Sequence, residues 1–257
     1  MDIITSILAK LQIRQWYRRL KNLFGKKASE TNIQQAEAYQ ASPNKLGYNV
    51  WFTSDNHIHH KNILKHCPLR AQAGGFDVDD VAAHDRWVLE TWNKTVAKKD
   101  IVYIIGDFTF TTPEWAKKYL SKMNGRKFLI LGNHDKSVDH LRNYFEQIVQ
   151  MKEVVFKKSN YDFLDEDFRC FLCHYNMTVW PSKHHGVVQV HGHSHGRLDD
   201  YNDASTDLKV DVGWDSRLAK YNLVHLEQLY DYFKKKTKGQ AFSKYASQMK
   251  NKHKMYV

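Results

Sequence analysis

Three histidines lie within five positions of the stretch "VQVHGHSHGRL", at His191, His193 and His195. A neutral imidazole is the commonest protein ligand for a metal ion, and it also exchanges protons near neutral pH. The spacing therefore indicates metal binding or acid–base chemistry. His191 belongs to the apolar run and is interpreted as a packed, supporting residue, which leaves His193 and His195 as ligand candidates.

Four further polar clusters follow apolar runs elsewhere in the chain. They are Asp55-Asn56-His57, Gly106-Asp107, Gly132-Asn133-His134-Asp135 and His174. Carboxylate, amide and imidazole ligands without a thiolate suit manganese, iron or zinc, and two metals that share a bridging ligand need about seven protein ligands. Seven candidates are present: Asp55, His57, Asp107, Asn133, His174, His193 and His195. We therefore expect two divalent metal ions, with manganese as the first choice and iron, zinc or nickel as alternatives.

The spacing of the ligand candidates has a geometric interpretation. Asp55 and His57 are two residues apart, as are His193 and His195, so each pair would point to one side of an extended segment. Asp107 lies in the middle of the set and is predicted to bridge the metals, with one carboxylate oxygen on each. Glycines that precede three of the ligands are expected to allow tight turns: Gly106, Gly132 and Gly192.

The elements that must position these side chains alternate between apolar strands and helices. Strands are predicted at "YNVWFTSD", "DIVYIIGD" and "KFLILGNHD", with helices at "FDVDDVAAHDRWVLETWNKTVAKK", "TPEWAKKYLSKM" and "VDHLRNYFEQI". Further strands are predicted at "MKEVVFKK", "YDFLDED", "FRCFLCHY", "GVVQVHG" and "DLKVDVGWD", before a closing helix at "LVHLEQLYDYFKKK". This order is typical of a layered α/β fold, in which ligands collect at the carboxyl ends of the strands.

Positive charge is concentrated at the two ends of the chain, whose formal net charge is +11. Residues 1–27 hold seven basic residues and one acid, and residues 232–257 hold eight lysines and no acid, which leaves 24 basic and 27 acidic residues between them. We predict a basic N-terminal helix with a polar linker over 1–47, a catalytic domain over 48–236, and a solvated lysine-rich tail over 237–257.

Residues 13–24 have the pattern of a basic amphipathic helix. The favoured interpretation is packing on the body or on a second protomer, so an oligomer is one expected state. Peripheral contact with a membrane or another anionic partner is the alternative. The sequence contains no run of about 18 apolar residues, so it predicts no transmembrane segment.

The cysteines and the start of the chain indicate a reducing compartment. Cys170 and Cys173 lie three apart in a predicted strand, on opposite faces, and are interpreted as core residues. Three cysteines are too few for a disulfide framework, and the start lacks the basic region and cleavage site of a secretory signal. We expect a cytoplasmic protein.

In this order, the motifs D-x-H, G-D, G-N-H-D, H and G-H-x-H resemble those of the calcineurin-like metallophosphoesterase superfamily, over roughly residues 48–232. The resemblance is closer to its small bacterial and phage-type phosphohydrolase branch. The matching stretches are "FTSDNHIHHKNIL", "VYIIGDF", "MNGRKFLILGNHDK", "CHYNMTVW", "VHGHSHG" and "VDVGWD". Three features depart from the family pattern: His59 stands where glycine is expected, "PLRAQA" stands where an Arg-Pro-Phe run is expected, and residues 1–47 have no counterpart.

The resemblance implies a four-layer helix–sheet–sheet–helix sandwich, to which an N-terminal helix is added. It also implies a division of the ligands between the two metals. The first metal would take Asp55, His57, Asp107 and His195, and the second would take Asp107, Asn133, His174 and His193.

The expected activity is hydrolysis of a phosphodiester or of a small phosphorylated metabolite or nucleotide by a metal-bridging hydroxide. His134 is predicted to donate a proton to the leaving alkoxide, and Asp135 to orient that imidazole. His60, Asn62 and Arg70 are candidates for contact with the substrate phosphate.

Two other functions stay open at this point. A metal-dependent nuclease could use the basic termini to hold nucleic acid, and its binding would weaken steeply with salt. A catalytically idle binding module on the same fold is the alternative of a different class. Such a module would be expected to lose a ligand or the catalytic histidine, whereas this sequence retains both.

Overall fold

A computed structural model of the chain describes Tyr39 and residues 41–42, 44–109, 111–136 and 138–254. The predicted basic helix over 13–24 and most of the predicted linker lie outside the described residues. None of the described helices combines the length and the apolar character that crossing a bilayer requires.

The described residues form nine β-strands, which belong to two separate sheets. The strands are β1 (Val50–Thr53), β2 (Ile101–Ile105), β3 (Arg126–Ile130), β4 (Gln147–Val149), β5 (Met151–Phe156), β6 (Phe168–Cys173), β7 (Val188–His191), β8 (Lys209–Asp211) and β9 (Val224–His225). One sheet has the order β4-β3-β2-β1-β9 and the other has the order β5-β6-β7-β8. The predicted α/β class is therefore confirmed.

Helices connect and flank these strands within the described part of the chain. The α-helices are α1 (Ile63–His66), α2 (Leu69–Gly74), α3 (Val81–Thr95), α4 (Pro113–Leu120), α5 (Asp199–Ala204), α6 (Leu226–Lys236) and α7 (Phe242–Lys254). Short 3-10 helices span Val138–Tyr144, Lys158–Asn160 and Lys183–His185. As the sequence predicts, α4 begins at a proline, which has no N–H to lose at the first helical position.

Most neighbouring strands are parallel, which gives each sheet one edge where carboxyl ends collect. In the first sheet, β1, β2, β3 and β4 are parallel, and β9 is antiparallel to β1. In the second sheet, β6, β7 and β8 are parallel, and β5 is antiparallel to β6. Each sheet can therefore present several strand-end loops on the same side.

The two sheets share one hydrophobic core, and the alternation of side chains along the strands shows how. Phe52 and Tyr103 of the first sheet belong to the same buried cluster as Leu172 and Val190 of the second. The side chains that alternate with them on the first sheet, such as Trp51, instead join a cluster with residues of α3 and α4. A period of two along a strand thus separates the inter-sheet core from the helix-facing core.

The cysteine interpretation agrees with this packing. Cys170 lies in the inter-sheet core, whereas Cys173 lies in a cluster on the opposite face with Phe171 and Trp180. Both cysteines are buried, and neither forms a disulfide.

The C-terminal region differs from the predicted solvated tail. Residues 242–254 form helix α7, and Phe242 is only 2% exposed within the inter-sheet core. Phe242, Tyr245 and Ala246 recur at helical spacing, so they form one stripe that packs on the body, whereas Lys244 and Lys250 are exposed. The prediction gave too much weight to the lysines and overlooked this stripe.

Two interior predictions are also wrong. "YDFLDED", predicted as a strand, follows a 3-10 helix and contains turns, because its aspartates favour turns over a sheet. "VDHLRNYFEQI", predicted as one helix, divides into the 3-10 helix Val138–Tyr144 and the beginning of β4.

Candidate metal centre

All seven predicted ligands lie in loops that follow parallel strands. Asp55 and His57 follow β1, Asp107 follows β2, Asn133 follows β3, His174 follows β6, and His193 and His195 follow β7. Both sheets contribute, so the ligand candidates come together only where the two sheets adjoin.

Backbone contacts join the sheets at this edge. Ser54, directly after β1, pairs with Gly213, just after β8, and the Trp214 N–H donates to the Ser54 carbonyl at 3.0 Å. Within the second sheet, the Gly192 N–H donates to the His174 carbonyl at 3.0 Å. The loops are therefore fixed to one another by main-chain bonds, which do not depend on side-chain rotamers.

Asp55, His57 and His195 form the first ligand group. His57 Nε2 lies 3.8 Å from Asp55 Oδ1 and 3.3 Å from His195 Nε2, and His195 Nε2 lies 3.6 Å from Asp55 Oδ1. Asp55 and His57 are buried, with 0% and 2% exposure. This group is therefore enclosed by protein on most sides.

Asp107, His174 and His193 form the second ligand group. His174 Nε2 lies 3.4 Å from Asp107 Oδ2. His174 is fully buried, whereas His193 is exposed. The second group therefore opens to solvent, unlike the first.

Asp107 touches both groups through one oxygen. Its Oδ2 is 3.8 Å from His57 Nε2 and 3.4 Å from His174 Nε2, whereas its Oδ1 accepts the His134 backbone N–H at 2.9 Å. The expected bridging position is present, but the expected use of one oxygen per metal is not supported. Oδ2 is the oxygen that faces both groups.

The backbone at the ligands is not extended, which corrects the geometric interpretation made from the sequence. Five of the seven candidates have left-handed φ angles: Asp55 at 57°, His57 at 51°, Asp107 at 51°, His193 at 65° and His195 at 49°. Asp and His enter this region more readily than most residues, but it remains uncommon for any non-glycine. A left-handed residue at alternate positions, rather than strand pleating, brings each pair of side chains together.

Of the three glycines that precede ligand candidates, only one adopts the backbone conformation of the tight turn that we expected. Gly106 does have a positive φ of 85°, but Gly132 and Gly192 do not. A Cβ on Gly192 would lie 1.9 Å from Ser54 Oγ, and one on Gly132 would lie 2.2 Å from Asp107 Oδ1. These two positions need glycine because the loops after β7 and β1, and those after β3 and β2, approach each other too closely for any side chain.

Two imidazoles have their second nitrogen hydrogen-bonded, which fixes the nitrogen that faces the site. His174 Nδ1 is 2.8 Å from the Ile105 carbonyl, an obligate acceptor, so this nitrogen carries the proton. His195 Nδ1 is 2.6 Å from Asp215 Oδ2. Both Nε2 atoms are thereby directed at the ligand groups, as in carboxylate– or carbonyl–histidine–metal arrangements.

Burial and charge shift the pKa values of these groups strongly. Burial raises the pKa of Asp55 to about 7, although His195 and His174 oppose the shift. Burial lowers the pKa values of His174 and His195, but the close approach of the Asp107 and Asp55 carboxylates brings the first to about 9. The hydrogen bond with Asp215 and the neighbouring carboxylates bring the second to about 10.

Arg70 does not lie where the sequence prediction placed it. Its side chain is 0% exposed, and it donates from Nε and Nη2 to both oxygens of Asp215, at 2.8 and 2.6 Å. It also donates to the Asp55 and Asn56 carbonyls, at 2.7 and 3.2 Å. Because Nε, Nη1 and Nη2 of this buried guanidinium all form hydrogen bonds within the protein, the predicted contact with a substrate phosphate is wrong. Arg70 instead holds Asp215 against His195.

Asp135 joins two strand-end loops. Its carboxylate accepts the backbone N–H groups of Asp107 at 2.8 Å, Phe108 at 3.1 Å and Gly132 at 2.9 Å. The loop after β3 is thereby attached to the loop after β2. The predicted orienting of the His134 ring stays a prediction, because these contacts assign Asp135 to the backbone.

The remaining predicted residues lie on the open side or beside it. The His134 ring is half-buried, with its centroid 5.3 Å from the His57 ring. The His60 ring lies 5.3 Å from the His57 ring and 5.7 Å from the His134 ring. Asn62 is exposed immediately before α1, and its contact with substrate stays a prediction.

Several buried ligand atoms have no hydrogen-bond partner among the described residues. They are Asp55 Oδ1, His57 Nδ1, Asn133 Oδ1 and His174 Nε2. An unsatisfied buried polar atom costs on the order of 1–3 kcal/mol, and these four belong to predicted ligands. A donor set of carboxylate, amide and imidazole lone pairs that converge without partners fits divalent metal ions such as manganese, iron, zinc or nickel.

Sequence reasoning missed two buried carboxylates that organise the centre. Asp211 is fully buried and accepts from the Ser194 hydroxyl and from the Gly196 and Gly213 N–H groups. Asp215, which the sequence analysis did not single out, contacts His195 directly. The signal was present, since both aspartates occur in "VDVGWD" at a strand end, as the other clusters do.

Comparisons with known proteins give relatives whose names state no activity. No family model matches the chain. The gene 66 protein of Mycobacterium phage L5 is 41% identical over 90 residues, which are 34% of this chain and only 40% of that protein. The gene 66 protein of Mycobacterium phage D29 is 30% identical over 169 residues, which are 58% of this chain and 80% of that protein.

Two further comparisons extend beyond phages. The protein MJ1445 of Methanocaldococcus jannaschii is 28% identical over 155 residues, which are 59% of this chain and 73% of that protein. The crystal structure of AQ665 from Aquifex aeolicus, a protein of unknown function, superposes with a TM-score of 0.51 at 20% identity and covers 72% of this chain and 99% of that one. At 20% sequence identity, this similarity is evidence for a shared fold alone.

Proposed function

The chain belongs to the family of the gene 66 protein of Mycobacterium phage D29, and we propose that it is a two-metal phosphoester hydrolase of the calcineurin-like superfamily. The proposal includes a four-layer helix–sheet–sheet–helix sandwich. The inter-sheet core and the helix-facing core of the first sheet support that arrangement.

One observation carries the proposal: two ligand groups meet at a single carboxylate oxygen. Asp107 Oδ2 lies within 4 Å of an imidazole nitrogen from each group. A single metal needs about four protein ligands, so the six candidates of the two groups, to which Asn133 of the β3 loop would add a seventh, exceed what one ion can use. Two divalent ions that share Asp107 account for the whole set.

Bound metals would lower the pKa of a coordinated water and offset the charge that develops on a phosphoryl group. The residues of this chain would supply the rest. The burial of Asp55 and His57 excludes water from the first group, while the exposed His193 leaves the second group open to an incoming ester. His134 lies at that opening, with Nε2 3.8 Å from Asp107 Oδ2, where it would donate a proton to the leaving oxygen.

The open side favours a substrate that presents one phosphoryl group to the second ligand group. A phosphodiester or a small phosphorylated metabolite or nucleotide meets this requirement. His60 lies beside His57 and His134 and is the favoured contact for such a phosphate.

Chelation with metal add-back tests the proposal. The full chain is treated with chelator, its metal content is measured, and manganese, iron, nickel, zinc or magnesium is restored before assay on a nitrophenyl monoester and a nitrophenyl diester. We expect about two metal ions per chain and hydrolysis that disappears with chelator and returns with manganese. Hydrolysis that ignores the chelator would contradict the proposal, as would a chain that binds no divalent metal.

The position of the C-terminal lysine-rich helix gives little support to the nuclease alternative. The beginning of α7 lies against Gly186, where a Cβ would approach Ser243 N to 2.5 Å, and Gly186 precedes β7. The ligands follow the far end of that four-residue strand, about 13 Å away at 3.3 Å per residue. Cleavage of an oligonucleotide that falls steeply between low and moderate salt would nevertheless favour a nuclease.

The idle binding module makes a distinct prediction. It would bind metal with the expected stoichiometry but hydrolyse neither nitrophenyl ester with any metal. The presence of all seven ligand candidates and His134 favours the enzyme.

A further inference from the structure

Tyr175 is an exposed aromatic residue beside the open ligand group. Tyr175 is 46% exposed. Its ring centroid lies 4.9 Å from the His193 ring and 5.1 Å from the His174 ring, with interplanar angles of 67° and 71°. These are edge-to-face contacts, which aromatic pairs favour. One side of the phenol ring therefore packs on two ligand candidates, and the other remains available to solvent.

The backbone on both sides of this tyrosine is held by a buried glutamine. Gln189 is 0% exposed, and its Nε2 donates to the Tyr175 carbonyl at 2.8 Å. Its Oε1 accepts the Met177 N–H at 3.0 Å. An amide in a strand interior is costly to bury unless its bonds are made, and here those bonds fix residues 175–177.

The intervening residue, Asn176, is held by a second set of buried polar groups. Its Nδ2 donates to His191 Nε2 at 2.9 Å and to Asn202 Oδ1 at 3.1 Å, and its Oδ1 accepts from Lys209 Nζ at 3.0 Å. His191 Nδ1 faces the Gly192 carbonyl at 2.9 Å, so Nδ1 carries the proton and Nε2 accepts. His191, the first histidine of "HGHSH", thus supports the turn that presents Tyr175.

We infer that Tyr175 is a substrate-contact residue that packs against a nucleobase, so that the ester hydrolysed here carries a nucleoside. The inference rests on the proposed function, because it assigns the organic group of the same substrate. A surface aromatic ring ordinarily needs no buried network behind it. The ring contacts two members of the second ligand group on its exposed side, so the organic group of an ester bound there would lie within reach of it. Aromatic side chains bind bases of any sequence by stacking.

The test compares two diesters with the same scissile bond. Thymidine 5′-(p-nitrophenyl) phosphate and methyl p-nitrophenyl phosphate both release p-nitrophenol, but only the first carries a base. With the manganese-loaded full chain, Tyr175→Ala should raise KM for the thymidine ester about 5- to 150-fold, the range that loss of one base stack gives. Its KM for the methyl ester should stay within about twofold of wild type, and Tyr175→Phe should stay close to wild type on both.

Two further variants separate contact from folding. Tyr201→Ala removes a tyrosine of similar exposure, 55%, whose ring lies under the Lys209 ammonium, and it should leave both KM values unchanged. Gln189→Met, which removes both backbone anchors, should raise KM for the thymidine ester by a smaller factor while metal content stays at the wild-type level.

Binding of thymidine 5′-monophosphate, measured by calorimetry, provides a readout that does not need turnover. Tyr175→Ala should weaken this binding by a factor similar to its KM effect. Equal KM changes for both diesters, or no change in KM and nucleotide affinity, would overturn the inference. If wild type hydrolyses neither these diesters nor the nitrophenyl monoester, the proposed function fails, and the nucleotide affinity still decides the role of Tyr175.

Discussion

Left-handed backbone at five ligand candidates is the main feature at the scale of single residues. Each such non-glycine residue costs on the order of 1–3 kcal/mol and persists only where its surroundings impose it. Here the loops are imposed by the main-chain bonds between strand ends, such as those of Asp55 N to Gly106 O and His57 N to Asp107 O, both at 3.0 Å. Strain concentrated on Asp and His side chains that converge is typical of a functional site.

His134 is the residue whose replacement should separate metal binding from turnover. It lies at the opening, and in the proposed arrangement it contributes no ligand atom. His134→Ala should lower kcat about 10²- to 10⁴-fold, the usual contribution of a general acid, while metal content stays unchanged. His140→Ala, at an exposed histidine of the next turn, is the matched control. Unchanged kcat in His134→Ala would refute the assignment.

Asp215 should matter through His195 rather than through the substrate. Asp215→Asn weakens the acceptor for His195 Nδ1 and removes the charge that faces Arg70, so the Nε2 ligand loses its orientation. We expect manganese affinity at one of the two sites to fall about 10- to 100-fold, as for other residues that orient metal-bound histidines. Calorimetric titration of the chelated protein measures this.

The control for Asp215→Asn is Asp167→Asn, which makes the same chemical change at an exposed ion pair with Lys157. Wild-type affinity at both sites in Asp215→Asn would show that the Arg70–Asp215 pair only stabilises the fold.

At the scale of elements, helix α6 begins at a buried histidine. His225 is 2% exposed, its Nδ1 accepts the Glu227 N–H at 3.2 Å, and its own N–H donates to Gln228 at 2.8 Å. Its ring also lies 4.8 Å from Trp51 of β1. A protonated imidazole could not accept at Nδ1, so the helix start depends on the neutral form.

The stability of the protein should therefore fall in acid partly through His225. Burial lowers its pKa to about 4, against about 6.5 when unfolded. Between these values the unfolded chain binds more protons, so the contribution is present above pH 6.5 and is lost as pH falls toward 4. From pH 7 to pH 5 the loss is about 2 kcal/mol in the free energy of unfolding.

Urea unfolding of the chelated protein at the two pH values measures this loss. His225→Asn keeps a good helix cap and should reduce the pH-dependent loss by about that amount. His185→Asn, at an exposed histidine, should retain the wild-type dependence. An unchanged dependence in His225→Asn would show that other buried histidines account for the acid sensitivity.

At the scale of the whole described body, the ligands link two sheets that otherwise share only an apolar core and a few strand-end bonds. Metal binding should therefore stabilise the fold. A metal at 100 times its Kd adds about 2.7 kcal/mol per site, which corresponds to several degrees in Tm for a body of this size. Tm should fall when chelator replaces manganese, as followed by circular dichroism or scanning calorimetry.

Asp107→Asn is the control for this effect, because it weakens the ligand that both groups share. It should abolish most of the manganese-dependent rise in Tm. Equal Tm values for wild type in chelator and in manganese would contradict a metal centre between the sheets.

Much of this arrangement could be predicted because strand ends are local features. An apolar run that stops at Asp, Asn or His indicates both a strand and a polar loop, and all seven ligand candidates were located in this way. The left-handed φ angles could not be predicted, because they depend on hydrogen bonds to loops that are distant in the sequence. The burial of Arg70 could not be predicted either, because its carboxylate partner, Asp215, lies 145 positions away in the sequence.

The sequence by itself determined the α/β class, the strand ends that carry candidate ligands, and the excess of charge near the termini. Only the tertiary structure decided which strand ends adjoin, that Asp107 Oδ2 faces both groups, that Tyr175 borders the open side and that α7 packs on the body. The physical reason is that a pattern of apolar and polar residues specifies which face of an element is buried. The packing of the two sheets then determines which residues of other elements contact that face.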